Sequence, residues 1–92
     1  MRTIERTSAF KKDYKRVKAT PRHKNIETLL EEIVRLLVLD RALPEKHFDH
    51  NLAGEWNDHR ECHLKPDLLL IYTKPDPETL RLVRLGSHSD LF

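Results

Sequence analysis

The spacing of apolar residues changes along the chain, from a helical period in the first half to a strand period in the second. Thr3–Thr7, with Thr and Ile, suits a short initial strand, and Ser8 offers an N-cap to a helix in which Phe10, Tyr14 and Val17 recur at i, i+4 and i+7. The opposite face of that helix carries Lys11, Lys12, Lys15 and Lys18. Thr20-Pro21 breaks it, because proline removes a backbone donor and crowds the preceding turn. From Asn25 a second helix follows, with Ile26, Leu29, Leu30, Ile33, Leu36 and Leu37 in one apolar stripe that ends near Asp40. The two helices are expected to pack as a hairpin.

Leu43-Pro44 opens an irregular loop that continues through Gly54. From Trp56 the period is two: Trp56, Asp58, Arg60, Cys62 and Leu64 share one face, and Asn57, His59, Glu61 and His63 share the other. Lys65-Pro66-Asp67 reads as a turn, Leu68–Thr73 as an apolar strand suited to a sheet centre, Lys74–Glu78 as a second turn and Leu80–Leu85 as a third strand closed by Gly86. This order predicts one α+β domain over residues 1–92. An N-terminal strand and a helical hairpin pack on a mostly antiparallel sheet completed by three C-terminal strands, which leaves the face away from the helices free for function.

A chain of 92 residues is long enough to fold around one core. Its longest apolar runs, Leu36–Leu39 and Leu68–Tyr72, are far too short to span a bilayer. The single cysteine, Cys62, has no intramolecular partner, and Met1 leads into a charged segment, so a reducing cytoplasm is the expected compartment. The net charge of +2 hides an asymmetry. Residues 1–24 hold nine Lys/Arg against two acids, and residues 25–92 hold eight against thirteen. A basic end favours a polyanionic partner, although solubilising lysines on a helix are the commoner cause of any one patch.

Four of the six histidines fall between His47 and Asp67. Zinc would need three or four converging ligands, and the chain has no CxxC pair and no HExxH helix, so no metal is assigned. Cys62 shares the packed face with Leu64 and reads as a small hydrophobe rather than a nucleophile. His23, His47 and His59 read as solvated loop residues, His59 by a narrow margin because parity sets it beside Glu61. His50, His63 and His88 lie at strand ends, where one rim could gather them with Asp67. Imidazole is suited to move protons in both directions near neutrality. With a basic helix nearby the natural substrate is a phosphodiester, and the chemistry RNA cleavage: a base takes the 2′-OH proton, a cation steadies the charged phosphorane and an acid protonates the departing 5′ oxygen.

The run His50-Asn-Leu-Ala-Gly54-Glu-Trp56, then Arg60-Glu-Cys-His63-Leu-Lys-Pro66-Asp67, then Leu70-Ile71-Tyr72 and finally Arg84-Leu-Gly86-Ser-His88-Ser-Asp-Leu-Phe92 resembles the YafQ-type toxins of the RelE/ParE superfamily. About a dozen positions stay in register over nearly the whole chain, which makes the pattern specific. The resemblance implies a RelE-like fold and a toxin of a type II toxin–antitoxin pair. Such a toxin is a ribosome-dependent endoribonuclease that enters the 30S decoding site and cuts translated mRNA without a metal or other cofactor until a cognate antitoxin binds, with operator DNA contacted only by the toxin–antitoxin complex. Carried onto this chain, the active positions are His50, His63, Asp67, His88 and Phe92, with Arg84 as the phosphate-facing cation. His88 is expected as general acid, His50 or His63 as base, and Asp67 as a group that orients a histidine or shares the proton work. Phe92 would stack on an unpaired base, Glu61 stands on the substrate side where relatives tend to have aspartate, and Lys11, Lys12, Lys15 and Lys18 would grip ribosomal RNA. Leu52, Gly54, Trp56 and Arg60 are assigned to structure, Trp56 as a core anchor and Arg60 as an ion pair under the sheet. Two rival readings keep the fold without catalysis: a gyrase inhibitor, as some superfamily relatives are, and a plain nucleic-acid-binding module.

Overall fold

The computed structural model describes residues 1–92. The chain runs through β1 (Thr3–Arg6), α1 (Ser8–Lys18), α2 (Ile26–Val38), β2 (His50–Asn51), β3 (Arg60–Lys65), β4 (Leu68–Thr73), β5 (Thr79–Gly86) and α3 (His88–Leu91). Single 3-10 turns occupy Pro21–His23, Glu45–His47 and Gly54–Trp56. The strands form one sheet in the order β1-β5-β4-β3-β2, with β1 parallel to β5 and the other pairs antiparallel. The expected α+β layer forms, with β4 as its fully buried centre.

Each helix has a local cause. The cap of α1 is Thr7 rather than the expected Ser8: Thr7 is extended, its Oγ1 accepts the Phe10 amide at 3.0 Å and donates to the Val83 carbonyl at 2.8 Å, which ties the helix start to β5. In α2 the residues Ile26, Ile33 and Leu37 are each at most 2 % exposed, so the apolar stripe meets the sheet. Against it lie Cys62, Leu64, Leu70, Tyr72, Leu80, Leu82 and Leu85, with Phe10 and Val17 from α1. Truncating a leucine such as Leu70 to alanine there would cost about 2–5 kcal/mol, the usual sum of lost transfer and cavity terms. At the sheet margin Arg60 Nε donates to Asp49 at 3.1 Å, and the same Asp49 oxygen accepts the Tyr72 hydroxyl at 2.6 Å. Arg60 is thus the ion pair that its place beside the packed face led one to expect. The hydrogen bond to Asp49, ahead of the effect of Tyr72, raises the already high pKa of Arg60 further.

Two expectations need correction. The alternation does not begin at Trp56, because Gly54–Trp56 forms a 3-10 turn, with Gly54 at φ +68°, and β3 starts only at Arg60. Trp56 consequently packs on the other side of the sheet from Cys62 and Leu64, in a smaller apolar cluster with Leu69, Ile71, Leu91, Leu52 and Val83. It is an anchor, but of the second core. The face away from the helices is therefore partly covered, and part of the cover is α3, which the strand-and-turn pattern did not predict. Its signal was Ser87-x-x-Asp90: the Ser87 hydroxyl accepts the Asp90 amide at 3.2 Å while the Asp90 carboxylate accepts the Ser87 amide at 3.0 Å, a complete capping box.

Candidate active site

Strand register sets the geometry. His50, Glu61, Ile71 and Arg84 are consecutive partners across β2, β3, β4 and β5, and the neighbouring row runs His63, Leu69, Gly86. With strands about 4.8 Å apart, His50 and Arg84 stand roughly 14 Å apart along one row and His63 roughly 10 Å from Gly86. Two short rows thus carry histidines at one side of the sheet to Arg84 and the His88 segment at the other.

On the first side the residues are in contact. Glu61 is only 5 % exposed, and its Oε1 lies 3.7 Å from His50 Nε2 and 3.5 Å from His63 Nε2. One buried carboxylate therefore faces both imidazoles, which Glu61 and His63 achieve because they share a strand face and His50 because β2 pairs with Glu61. Strand parity sets Glu61 beside His63, and β2 adds His50 to the same carboxylate. His47 and Phe48 complete this flank. His47 is half-buried, not solvated, and its Nδ1 lies 2.7 Å from the His63 carbonyl, within hydrogen-bonding reach. The Phe48 ring meets His63 edge-on at 5.5 Å.

Across the sheet Arg84 is already occupied. Its Nε and Nη2 donate to the two oxygens of Asp13 at 2.7 and 3.2 Å, and Asp13, 3 % exposed, also accepts the Leu85 amide at 3.0 Å. Burial pushes the Asp13 carboxyl up, but the hydrogen bonds from Arg84 and Leu85 and the charges of Arg84 and Arg16 outweigh it and hold it below the ordinary carboxylate range. The side-on grip leaves Nη1 of Arg84 without a bond to the protein. Arg16 continues the chain of charges, with Nη1 3.4 Å from Asp13 and Nη2 3.6 Å from Asp90 of α3 while donating to the Leu85 carbonyl at 3.2 Å. Gly86 makes room for it, since a Cβ there would lie 2.9 Å from Arg16 Nη2 and 3.1 Å from Asp90 Cβ. Asp13 was missed in the sequence although it had a signal: Phe10, Asp13, Tyr14 and Val17 follow the apolar helical spacing, and an acid inside that stripe must be buried with a partner.

The first residue of α3 is His88, exposed and tilted against the Phe92 ring at 5.1 Å, and Phe92 in turn meets Trp56 edge-on at 6.3 Å. Phe92 keeps 53 % of its surface exposed. Asp67 is not gathered with these groups: it sits in the turn between β3 and β4, and its carboxylate is 3.4 Å from Arg22 Nη2, an exposed pair. Lys11, Lys12, Lys15 and Lys18 stay exposed on the outer side of the helical layer, so they do not converge on the histidines, which face the other side of the sheet.

Two further histidines depart from their expected solvated state. His23 is 6 % exposed, with Nδ1 3.3 Å from Lys65 Nζ; burial first and the Lys65 charge second push its pKa down. His59 is half-buried against Trp56, edge-on at 5.2 Å. Cys62 is fully buried and burial pushes its thiol pKa far up, which fits the packing role. No set of three or more His, Cys, Asp or Glu side chains is arranged to hold a metal ion.

Comparison with known proteins agrees with this architecture. Residues 2–92 match the family model described as "Bacterial toxin of type II toxin-antitoxin system, YafQ". The chain is 37 % identical over 91 residues to the mRNA interferase toxin YafQ of Escherichia coli K12, covering 99 % of this chain and 96 % of that protein. Among solved structures, it superposes on the toxin of the E. coli DinJ–YafQ complex with a TM-score of 0.85 at 35 % identity, over 100 % of this chain and 99 % of that one. A metal-bound toxin from Helicobacter pylori gives a TM-score of 0.85 at 46 % identity over the whole of both chains. A full-length family match, this level of identity and a shared fold lead to one conclusion: the chain belongs to the YafQ family of type II toxin–antitoxin toxins.

Proposed function

We propose that this toxin is an mRNA interferase that cuts translated mRNA on the ribosome by metal-independent acid–base catalysis, in the cytoplasm. The observation that carries the reading is the pair of histidines, His50 and His63, beside one buried carboxylate, with two strands between His50 and Arg84 and one between His63 and Arg84, next to the His88 segment. In the reaction His50 or His63 takes the proton of the 2′-OH. The O2′ forms a bond to phosphorus, the P–O5′ bond breaks, and His88 gives its proton to the departing O5′, leaving a 2′,3′-cyclic phosphate. Glu61 orients the base and steadies its imidazolium form, which is the role that Asp67 would have had if it faced a histidine. Asp67 takes a share of the proton work only by leaving Arg22.

Arg84 stabilises the charge that grows on the phosphorane through Nη1, the edge that Asp13 does not use. Phe92 stacks on an unpaired base beside the cut. The lysines of α1, on the other side of the molecule, reach ribosomal RNA at the 30S decoding site and not the scissile nucleotide. An antitoxin, as DinJ is for the E. coli relative, silences the toxin by covering the basic helix, the sheet face or both, and operator DNA is bound only by that complex. A non-catalytic inhibitor has no use for two imidazoles on one carboxylate, which sets this reading apart from gyrase inhibition and from plain nucleic-acid binding.

The test is a reconstituted assay with purified toxin, ribosomes and a translated message. Cleavage should require the ribosome, stop on addition of antitoxin, and persist after the toxin is stripped with a chelator and assayed with only the magnesium the ribosome needs. Activity that vanishes on stripping and returns with zinc or copper would overturn the metal-free mechanism.

A further inference from the structure

Beside His63 lies a groove that the catalytic reading does not use. It opens where β2 stops and the edge of β3 is left without a strand partner, beside the Glu45–His47 turn, and its volume is about 500 Å³. Leu29, Leu64 and Pro66 make its apolar lining, Phe48 an aromatic wall, and Lys46 a cation at its mouth. Phe48 is the unusual member. It is 67 % exposed, a state that contributes little to folding, and it sits at φ 46°, ψ 44°, the left-handed region that a bulky side chain rarely adopts. Nothing about stability asks for phenylalanine there, since glycine would hold the same backbone without strain. A strained, exposed aromatic is the kind of feature that persists for binding.

We infer that this groove is a second base-binding subsite of the toxin, in which the ring of Phe48 stacks on an unpaired nucleobase of the mRNA next to the nucleotide being cut. The inference deepens the proposed function and rests on it. Continuity supports it, because His63 lines both the groove and the site at Glu61, so a strand whose scissile phosphate is at His63 passes the groove with its next base. Charge supports it as well. Lys46 is exposed and can meet the backbone phosphate at the mouth, whereas Lys65 is turned away to the Arg22 carbonyl at 2.7 Å and to His23. At the rim, the exposed carboxylate of Glu32 from α2 repels phosphate and offers an acceptor to an N–H on the edge of a base. The ligand is then an unpaired base that turns an N–H to Glu32, the exocyclic amine of adenine, cytosine or guanine or the N3–H of uracil. With Phe92 at the other end of the two rows, the toxin holds the message by an aromatic on each side of the cut.

The test uses the positive φ of Phe48. Phe48→Gly should fold at least as stably as the wild type, because it relieves the left-handed strain, and yet lower kcat/KM on ribosome-bound message by roughly 5- to 150-fold, the range expected for one base stack removed. Phe48→Trp should keep near wild-type cleavage. A message with 2′-O-methyl at the scissile nucleotide and 2-aminopurine at each flanking position in turn reports the stack directly, through fluorescence quenching at one position that Phe48→Gly abolishes. If Phe48→Gly cuts at the wild-type rate while His63→Ala does not cut, the subsite is wrong and the catalytic reading stands. If His63→Ala and His88→Ala both cut normally, the catalytic reading itself has failed.

Discussion

At the scale of single residues, Asp13 and His88 make opposite predictions, and each separates fold from chemistry. Asp13 is buried under two arginines, so Asp13→Ala strands Arg84 and Arg16 and removes the acceptor of the Leu85 amide. The cost should be about 2–3 kcal/mol, below the 3–5 typical of a fully buried pair because both arginines keep access to water. Because the folded-state pKa of Asp13 is depressed, its stabilising effect is full above the ordinary carboxylate range and is lost as the pH falls through the folded value. Chemical denaturation from pH 7 to 3 should show a steeper acid loss in the wild type than in Asp13→Asn, and parallel curves would show that Asp13 does not anchor the arginines. His88 is exposed and supports no core, so His88→Ala should leave stability within about 0.5 kcal/mol while lowering the cleavage rate roughly 10²–10⁴-fold. His23 adds a third, milder effect. Its pKa is depressed by burial and by Lys65, so stability should fall as the pH drops below about 6.5, where the unfolded imidazole takes up its proton first. Melting temperatures between pH 7.5 and 5.5 should fall less for His23→Gln than for the wild type.

At the scale of elements, the two long helices and β3 were legible from their periods, β5 from an alternation broken once near Val83, and β4 was recognisable as central because six apolar or β-branched residues run together. What the sequence hid came from short elements. The 3-10 turn at Gly54–Trp56 resets the alternation, so Trp56 ends on the opposite face from the one its parity gave. The two-residue β2 has no period to read, yet it is what brings His50 to Glu61. The candidate site was legible as residue types at strand ends, His50, His63 and His88 among them, but most of their partners were not: Phe48 and the pairing of His50 with Glu61 owe their positions to pairing and packing, not to spacing. Glu61 beside His63 followed from strand parity, and Asp13 could have been found as an acid in an apolar stripe. The terminal helix α3 depends on its capping box and on Leu91 in the second core. Ser87→Ala should cost about 1 kcal/mol and should also reduce cleavage, because His88 is the first residue of the helix that the cap orders. A Ser87→Ala protein with unchanged stability and rate would show that the cap does not position His88.

At the scale of the whole molecule, the chain separates two kinds of contact with RNA. The exposed lysines of α1 lie on the outer side of the helical layer, and the histidines, Arg84 and Phe92 belong to the other side of the sheet and its end. Replacing Lys11, Lys12, Lys15 and Lys18 by glutamine should therefore weaken ribosome binding and flatten its salt dependence, by about 0.7–0.9 units of log K per decade of salt for each phosphate no longer neutralised, without changing where the message is cut. A shift of the cut sites would place those lysines at the substrate instead. No helix of the chain is long and apolar enough to cross a membrane. The central claim, that this sheet end is a nuclease and not only a binding surface, is tested most directly by mapping mRNA 5′ ends across the cell after brief expression of the wild type and of His88→Ala. New 5′ ends are expected inside translated reading frames with the wild type, and their near disappearance with His88→Ala, at equal protein levels and unchanged antitoxin binding. Growth arrest by the wild type with no new 5′ ends, or the same ends at the same rate with His88→Ala, would contradict it.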